Sequence, residues 1–309
     1  MLLAAFSSGA FASPAAAAAA AAPPAEDEPL APLVGEATSD IVEDGDTLLD
    51  VAARHRLGFE RLARMNPGVD EWIPDPGTVV RLPTRHVLPD GPRRGLVVNL
   101  PEMQLYDFTR PGEPEVFAVA IGDEMDPSLL GEFKVGVKRE RPAWHVPKSI
   151  QAEKPDLPAV VPPGPDNPLG DHWMTIGTTT YGIHGTNNLW SIGREATHGC
   201  LRLYNDDIAR LYARTPVGTR LRLVYQTVKL GSDGRSIWVE AHPDRYGREP
   251  DRAEKALARL EAQGLLASVD VAALRRAVEE ARGEPVAVGR IDAVEAAPAE
   301  QGATSTPTS

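Results

Sequence analysis

The sequence predicts a mainly β protein with some α, in which a β-barrel or sandwich is preceded by a small βααβ unit and followed by helices. Three observations predict it. Short runs rich in Val, Leu, Ile and aromatic residues recur between polar turns over residues 95–226, the spacing of an all-β domain rather than of alternating strands and helices. Two helical periods flanked by strand-like runs occupy residues 40–84, and leucines return at helical spacing beyond residue 250. A chain of 309 residues is long enough for one sizeable core and a smaller domain beside it.

The elements follow in order. Residues 1–12 open on the apolar run Met1-Leu2-Leu3-Ala4-Ala5-Phe6 and reach the small-x-small pattern Ala10-Phe11-Ala12, so a signal segment is expected although no Lys or Arg precedes it. Residues 13–39 are Ala- and Pro-rich, then acidic, and offer few large apolar side chains to offset ordering entropy. A disordered tether is expected there. In residues 40–84, Val42 to Leu48 reads as a strand and turn, with Asp46 or Thr47 capping a helix that carries Leu48, Val51 and Ala52 on one face. A second helix through Phe59, Leu62 and Met65 stops at Asn66-Pro67-Gly68, and Thr78 to Pro83 closes as a strand.

Within residues 95–226, strands are expected at Leu96–Leu100, Met103–Phe108, Val116–Ile121, Gly131–Val137 and Val217–Tyr225. The proline-dense stretch from Arg141 to Asp171 forbids regular structure and reads as a long loop of the kind that roofs a site. Asn205 to Tyr212 reads as a helix capped at Asn205 or Asp206. Residues 227–290 hold a strand, Ser236–Glu240, and two amphipathic helices expected to pack against the barrel. Residues 291–309 read as a disordered tail.

Composition excludes some partners. The net charge is −12 with acidic residues spread along the chain, which argues against nucleic acid because neutralising phosphates needs a basic face. No apolar stretch approaches the roughly 20 residues of a spanning helix, so no membrane span is expected in the mature chain. Neither a metal nor a cofactor is implied.

Chemistry concentrates on the one cysteine, Cys200, in Ala196-Thr197-His198-Gly199-Cys200-Leu201-Arg202-Leu203, with His184 upstream in Tyr181-Gly182-Ile183-His184-Gly185-Thr186. Without a disulfide partner in the chain, the thiol is a filler, a ligand, an intermolecular pairing site or a nucleophile. A thiol near its ordinary pKa of about 8.5 is mostly protonated at neutral pH, so a nucleophile needs a base. His184 is the candidate, at the end of an apolar strand. Gly185 would let the backbone turn and aim its carbonyl at the imidazole as the third, orienting group. The N–H groups of His198, Gly199 and Cys200 in a tight turn suit an oxyanion hole, where one donor contributes roughly 2.7–4 kcal/mol.

These residues resemble the active-site signature of the L,D-transpeptidases with the YkuD-type catalytic domain: a histidine, then a [Ser/Thr]-His-Gly-Cys run, then Arg or Asn two positions past the cysteine, here Arg202. The stretches VVNLPEMQLYDF and RPAWHVPKSIQAE fit the same family. GDTL…VA, LARMNPGV and GTVVRLP in residues 40–84 resemble a LysM domain, a peptidoglycan-binding fold that takes the N-acetylglucosamine of glycan strands. With VEAHPDRYG the similarity covers about residues 40–247 and leans to the Gram-negative branch that attaches an outer-membrane lipoprotein to peptidoglycan or cross-links its stem peptides. The resemblance implies an exported, periplasmic, cell-wall-associated enzyme. Cys200 would attack the carbonyl of diaminopimelate in a tetrapeptide stem, release D-alanine and hold a thioester that passes to an amine. His184 would move the protons, Gly185 would orient it, and the His198-Gly199-Cys200 backbone would bind the oxyanion. Arg202, Tyr181, Trp190 and Thr197 are the substrate-binding candidates, with Arg202 gripping a carboxylate.

Each assignment has a plainer rival. The His198 ring could only brace the turn, Arg202 could pair with Asp206 or Asp207, Thr197 could bond locally to the backbone, and Trp190 could be a wall residue. Three other activities compete: an L,D-carboxypeptidase or hydrolase using water on the same linkages, a zinc hydrolase using His184, His198 and Cys200, and a non-catalytic wall-binding protein.

Overall fold

The computed structural model describes residues 28–291. The expected signal segment, most of the tether and all but the first residue of the C-terminal tail lie outside them. The central sheet has eight strands, in the order Leu201–Arg202, Gly182–His184, His172–Ile176, Gly131–Glu140, Arg220–Val224, Gly95–Asn99, Gln104–Phe108 and Glu115–Ala118. Its inner face carries Leu96, Val98, Leu105, Phe117, Met174, Ile183, Leu201, Leu221 and Leu223, all essentially without solvent exposure. The helix Asn205–Arg214 closes one side by burying Ile208 and Leu211 in this core. The mainly β class with few helices holds.

A βααβ unit forms, but its first strand lies at Thr38–Ile41, in the end of the expected tether, and not within Val42–Leu48. Strand Thr38–Ile41 pairs antiparallel with Val79–Leu82, with helices Leu48–Arg54 and Phe59–Met65 between them. Thr47, not Asp46, is the N-cap, in a reciprocal capping box with Asp50. Its core of Val42, Leu48, Val51, Leu62 and Val80 is small, and the unit docks through backbone and side chains alike. Phe59 N–H donates to Ile192 O, the Tyr204 hydroxyl donates to Leu57 O, and a Cβ on Gly193 would stand 2.3 Å from Gly58 Cα.

Three further expectations need correction. The tether ends before residue 31: Ala31–Val34 is a strand, parallel to Val228–Ser232 and antiparallel to His86–Val87. Its four residues bury Ala31 and Val34, enough once a sheet edge supplies partners. The C-terminal helices Arg252–Ala262 and Val271–Glu280 do not pack on the central sheet. They cover a second, five-stranded sheet ordered Val286–Arg290, Ser236–Ala241, Val228–Ser232, Ala31–Val34 and His86–Val87, through Ala256, Leu260, Leu274 and Val278 on Leu230, Ile237 and Val239. The Arg141–Asp171 stretch contains a small hairpin, Trp144–His145 with Val160–Val161, and a helix Lys148–Glu153 placed between its prolines. No helix among the described residues is long and apolar enough to cross a membrane.

Candidate active site

The site is built where two strands meet in parallel. Ile183 pairs with Leu201 and His184 with Arg202, which puts His184 beside the residues on either side of Leu201. Because side chains alternate along a strand, Ile183 and Leu201 point into the core at zero exposure while His184, Cys200 and Arg202 face a cavity of about 810 Å³. Its size is that of a ligand cleft. The Arg141–Asp171 excursion supplies its roof through Trp144, Pro147, Ile150 and Leu157.

Burial and then the neighbouring Arg202 charge push the pKa of His184 down to about 3, so the imidazole is neutral. Its Nδ1 lies 2.6 Å from Gly185 O; with Nδ1–H donating, Nε2 carries the lone pair. The ring stacks on Trp173, centroids 5.5 Å apart and planes 16° apart. Trp173, opposite His184 in the register, was not legible as a site residue, but the diagonal Gly182 that leaves room for its ring was a clue. A Cβ on Gly182 would fall 2.4 Å from the Trp173 ring. Gly185 is demanded by space rather than by a turn: a Cβ there would stand 2.2 Å from Asn205 Oδ1. Asn205 accepts from Thr186 N–H and donates to Thr186 O, both at 2.9 Å. It therefore pins the loop after His184 instead of capping its helix, whose N-cap is Tyr204.

Cys200 is a free thiol at intermediate exposure. Burial pushes its pKa up, while the Gly182 N–H and the Arg202 charge pull the other way and only partly offset this. The resting site holds a neutral thiol and a neutral imidazole. The turn before the sulfur is braced by Thr197, whose Oγ1 donates to Cys200 O at 2.7 Å and accepts from Gly199 N–H at 3.1 Å. Thr197 is buried and takes no part in the cavity lining, and it removes the Gly199 N–H from the donors open to an oxyanion. The remaining donors of the run are the His198 and Cys200 amides.

The other candidates divide. Arg202 and Tyr181 line the cavity, and Asp207 instead pairs with Arg56 and Arg210. The Nε of Arg202 is buried without a hydrogen-bond partner among the described residues. The His198 ring reaches the cavity and is held by Asp126, Nδ1 to Oδ2 2.8 Å. Trp190 lies outside the cavity, 58% exposed, stacked on Trp72 of the βααβ unit at 5.9 Å. A zinc site on His184, His198 and Cys200 does not assemble. Among the described residues the ligand atoms that converge within 4.8 Å belong to His86, Glu102 and Glu240, elsewhere in the molecule.

Known proteins share this arrangement of sequence. The sequence model of the YkuD L,D-transpeptidase catalytic domain matches residues 93–225. The Escherichia coli K12 protein named "Probable L,D-transpeptidase YbiS" is 38% identical over 221 residues, covering 68% of this chain and 71% of that one. "Probable L,D-transpeptidase YcfS" of the same organism is 36% identical over 224 residues, covering 68% and 69%. "Probable L,D-transpeptidase ErfK/SrfK", also of Escherichia coli K12, is 38% identical over 220 residues, covering 68% and 70%.

Proposed function

Since this chain belongs to the L,D-transpeptidase family with the YkuD catalytic domain, we propose that it transfers an acyl group between peptidoglycan stem peptides through a thioester on Cys200. The observation that carries the reading is the neutral His184 imidazole, fixed by Gly185 O, facing the same cavity as the thiol.

The reaction begins with thiol and imidazole both uncharged. His184 Nε2 takes the Cys200 proton as sulfur attacks the carbonyl carbon of the third stem residue, diaminopimelate. The oxyanion is held by the amides of His198 and Cys200. Collapse breaks the amide C–N bond, and the imidazolium returns its proton to the departing D-alanine nitrogen. Arg202, desolvated and incompletely bonded, suits a donor carboxylate. An amine then attacks the thioester, giving a cross-link between stems or an attachment to a lipoprotein. Water in place of the amine gives hydrolysis. Such a substrate lies outside the inner membrane, and a periplasmic enzyme is part of the same proposal.

Glycan is the other half of this substrate. We assign it to the exposed pair Trp72 and Trp190, with centroids 5.9 Å apart and the buried Phe59 stacked under Trp72 at 5.7 Å, which joins the LysM-like unit to the loop between His184 and Cys200. Flat aromatic faces offer apolar contact to sugar rings while solvent-facing polar groups take their hydroxyls.

The test is incubation of the full chain with a disaccharide tetrapeptide, followed by intact-mass measurement. An adduct equal to the substrate less D-alanine, present on the wild type and absent from Cys200→Ala, is expected. A wild-type protein that releases D-alanine without ever carrying the adduct would overturn the reading.

A further inference from the structure

We propose that Asp126 and His198 form the acceptor side of the cavity, binding the incoming amine as its ammonium ion and removing the first of its two protons. The inference rests on the transferase reading above and adds the residues that separate an amine from water.

Thr197, not the His198 ring, holds the turn before Cys200. The ring is therefore free for another task. Its Nδ1 lies 2.8 Å from Asp126 Oδ2, the ring 41% and the carboxylate 52% exposed, and both line the cavity that contains Cys200 and His184. With Nδ1–H donating to Asp126, Nε2 is left with its lone pair and has no partner among the described residues. Asp126 sits on a formed turn: Asp123 Oδ1 accepts the Met125 and Asp126 amides, and Asp123 N–H donates to Thr197 O at 3.1 Å. The dyad is thus fastened to the nucleophile's own turn.

Proton arithmetic gives it work. An alkyl amine, with a pKa of about 10.4, arrives at neutral pH as an ammonium ion. It must lose one proton before it can attack and a second as the new amide forms. His184 has one nitrogen left for proton transfer, since Nδ1 is committed to Gly185 O, and it is needed for the second proton. The cavity lining carries both signs of charge, Arg139, Lys154 and Arg202 with Asp126 and Asp166. Arg202 adjoins the sulfur, where it favours a donor carboxylate and repels a cation, whereas the Asp126 carboxylate attracts one.

The steps balance. The ammonium N–H proton passes to His198 Nε2, Asp126 stabilises the imidazolium, and the exposed ring releases that proton to water. The neutral amine nitrogen attacks the thioester carbon and the C–N bond forms. His184 Nε2 takes the second N–H proton and delivers it to sulfur as the C–S bond breaks, regenerating the thiol. Water needs neither a cation site nor the first step. His198 is then a catalytic residue and Asp126 a positioning one.

The test reads how the acyl-enzyme partitions. The full chain is incubated with a disaccharide tetrapeptide, acyl-enzyme is followed by intact mass, and dimer (transfer) and tripeptide (hydrolysis) are quantified. In Asp126→Asn and His198→Gln the adduct should still form while the dimer-to-tripeptide ratio falls at least about tenfold, and Asp126→Glu should recover part of it. An unchanged ratio, or adduct and dimer falling in parallel, would overturn the proposal. A wild type that forms the adduct but yields tripeptide alone would overturn it too, whereas a wild type without adduct removes the transferase reading itself.

Discussion

Gly199 lies so close to Tyr181 that a Cβ on it would stand 2.6 Å from the ring's Cε1, and its φ of +93° is one that residues with side chains rarely adopt. The glycine between His198 and Cys200 is therefore a shape requirement. It lets the turn pass beside a cavity-lining ring and return the sulfur to the same space.

Gly199→Ala should accordingly preserve the fold and spoil the chemistry. Strain of about 1–3 kcal/mol is expected to relax by opening the turn, moving the His198 and Cys200 amides off the oxyanion. Acylation should fall by about 10²-fold, the order lost with one oxyanion donor, while a thiol reagent still counts one cysteine and the circular dichroism is unchanged. Acylation near the wild-type rate would show that the turn's shape is not what the reaction uses.

The depressed pKa of His184 sets a pH dependence with a definite sign. Burial, then Arg202, bring it to about 3, so the native ring stays neutral well below the ordinary 6.5. The acidic limb of kcat/KM should lie far below 6.5, and Arg202→Met should move it upward by removing one of the two causes. Stability follows by linkage. The unfolded chain binds a proton below about 6.5 that the folded ring refuses, so this contribution is complete above 6.5 and is lost as pH falls toward 3. His242, held at about 4 by burial, acts in the same direction. A pH profile with its acidic limb at 6.5 would mean that the ring is solvated.

A buried ionic cluster joins the three parts of the chain and predicts a structural failure rather than a chemical one. Arg61 of the βααβ unit reaches Glu240 of the C-terminal sheet at 2.8 Å, and Lys229 lies 2.8 Å from Glu102 and 3.2 Å from Glu240. All four are buried. Burial would raise the Glu240 pKa, but Lys229 and Arg61 outweigh it and hold it at about 2. Arg61→Met leaves a carboxylate short of its partner and should cost about 3–5 kcal/mol, read as a lower midpoint in denaturant and earlier proteolysis near residues 84–94. His86, Glu102 and Glu240 have the spacing of a metal site, yet the two cations already occupy the carboxylates. A chelator should leave the melting temperature unchanged, and a rise on adding zinc would contradict that assignment.

What was legible in the sequence was local. Strands such as Gln104–Phe108 and the helices of the βααβ unit announce themselves by period, and the His184/Cys200 pair by small residues around a lone thiol. What was not legible depends on distant partners. Ala31–Val34 is a strand only because Val228–Ser232 and His86–Val87 flank it. Asn205 looks like a helix cap until Thr186 takes both ends of its amide. Asp126 lies 72 residues from His198, and nothing local marks it as the ring's partner. Trp190 reads as a cavity wall, but its loop carries it outward to Trp72.

That displacement of Trp190 yields the last prediction. Large aromatic side chains are usually buried, and an exposed group of them marks a contact surface; here Trp72 is 46% and Trp190 58% exposed, and they stack on each other across two structural units. If the pair carries the glycan strand, Trp72→Ala and Trp190→Ala should each weaken retention on purified sacculi and raise KM for polymeric peptidoglycan, with kcat little changed. The same variants should treat a free tetrapeptide like the wild type, because that substrate has no sugar to stack. The Phe59–Trp72 stack and the Arg194 guanidinium 4.3 Å over Phe59 support the pair from beneath, so loss of Trp190 alone should leave the βααβ unit folded. Equal effects on polymer and free peptide would place these tryptophans in the scaffold instead.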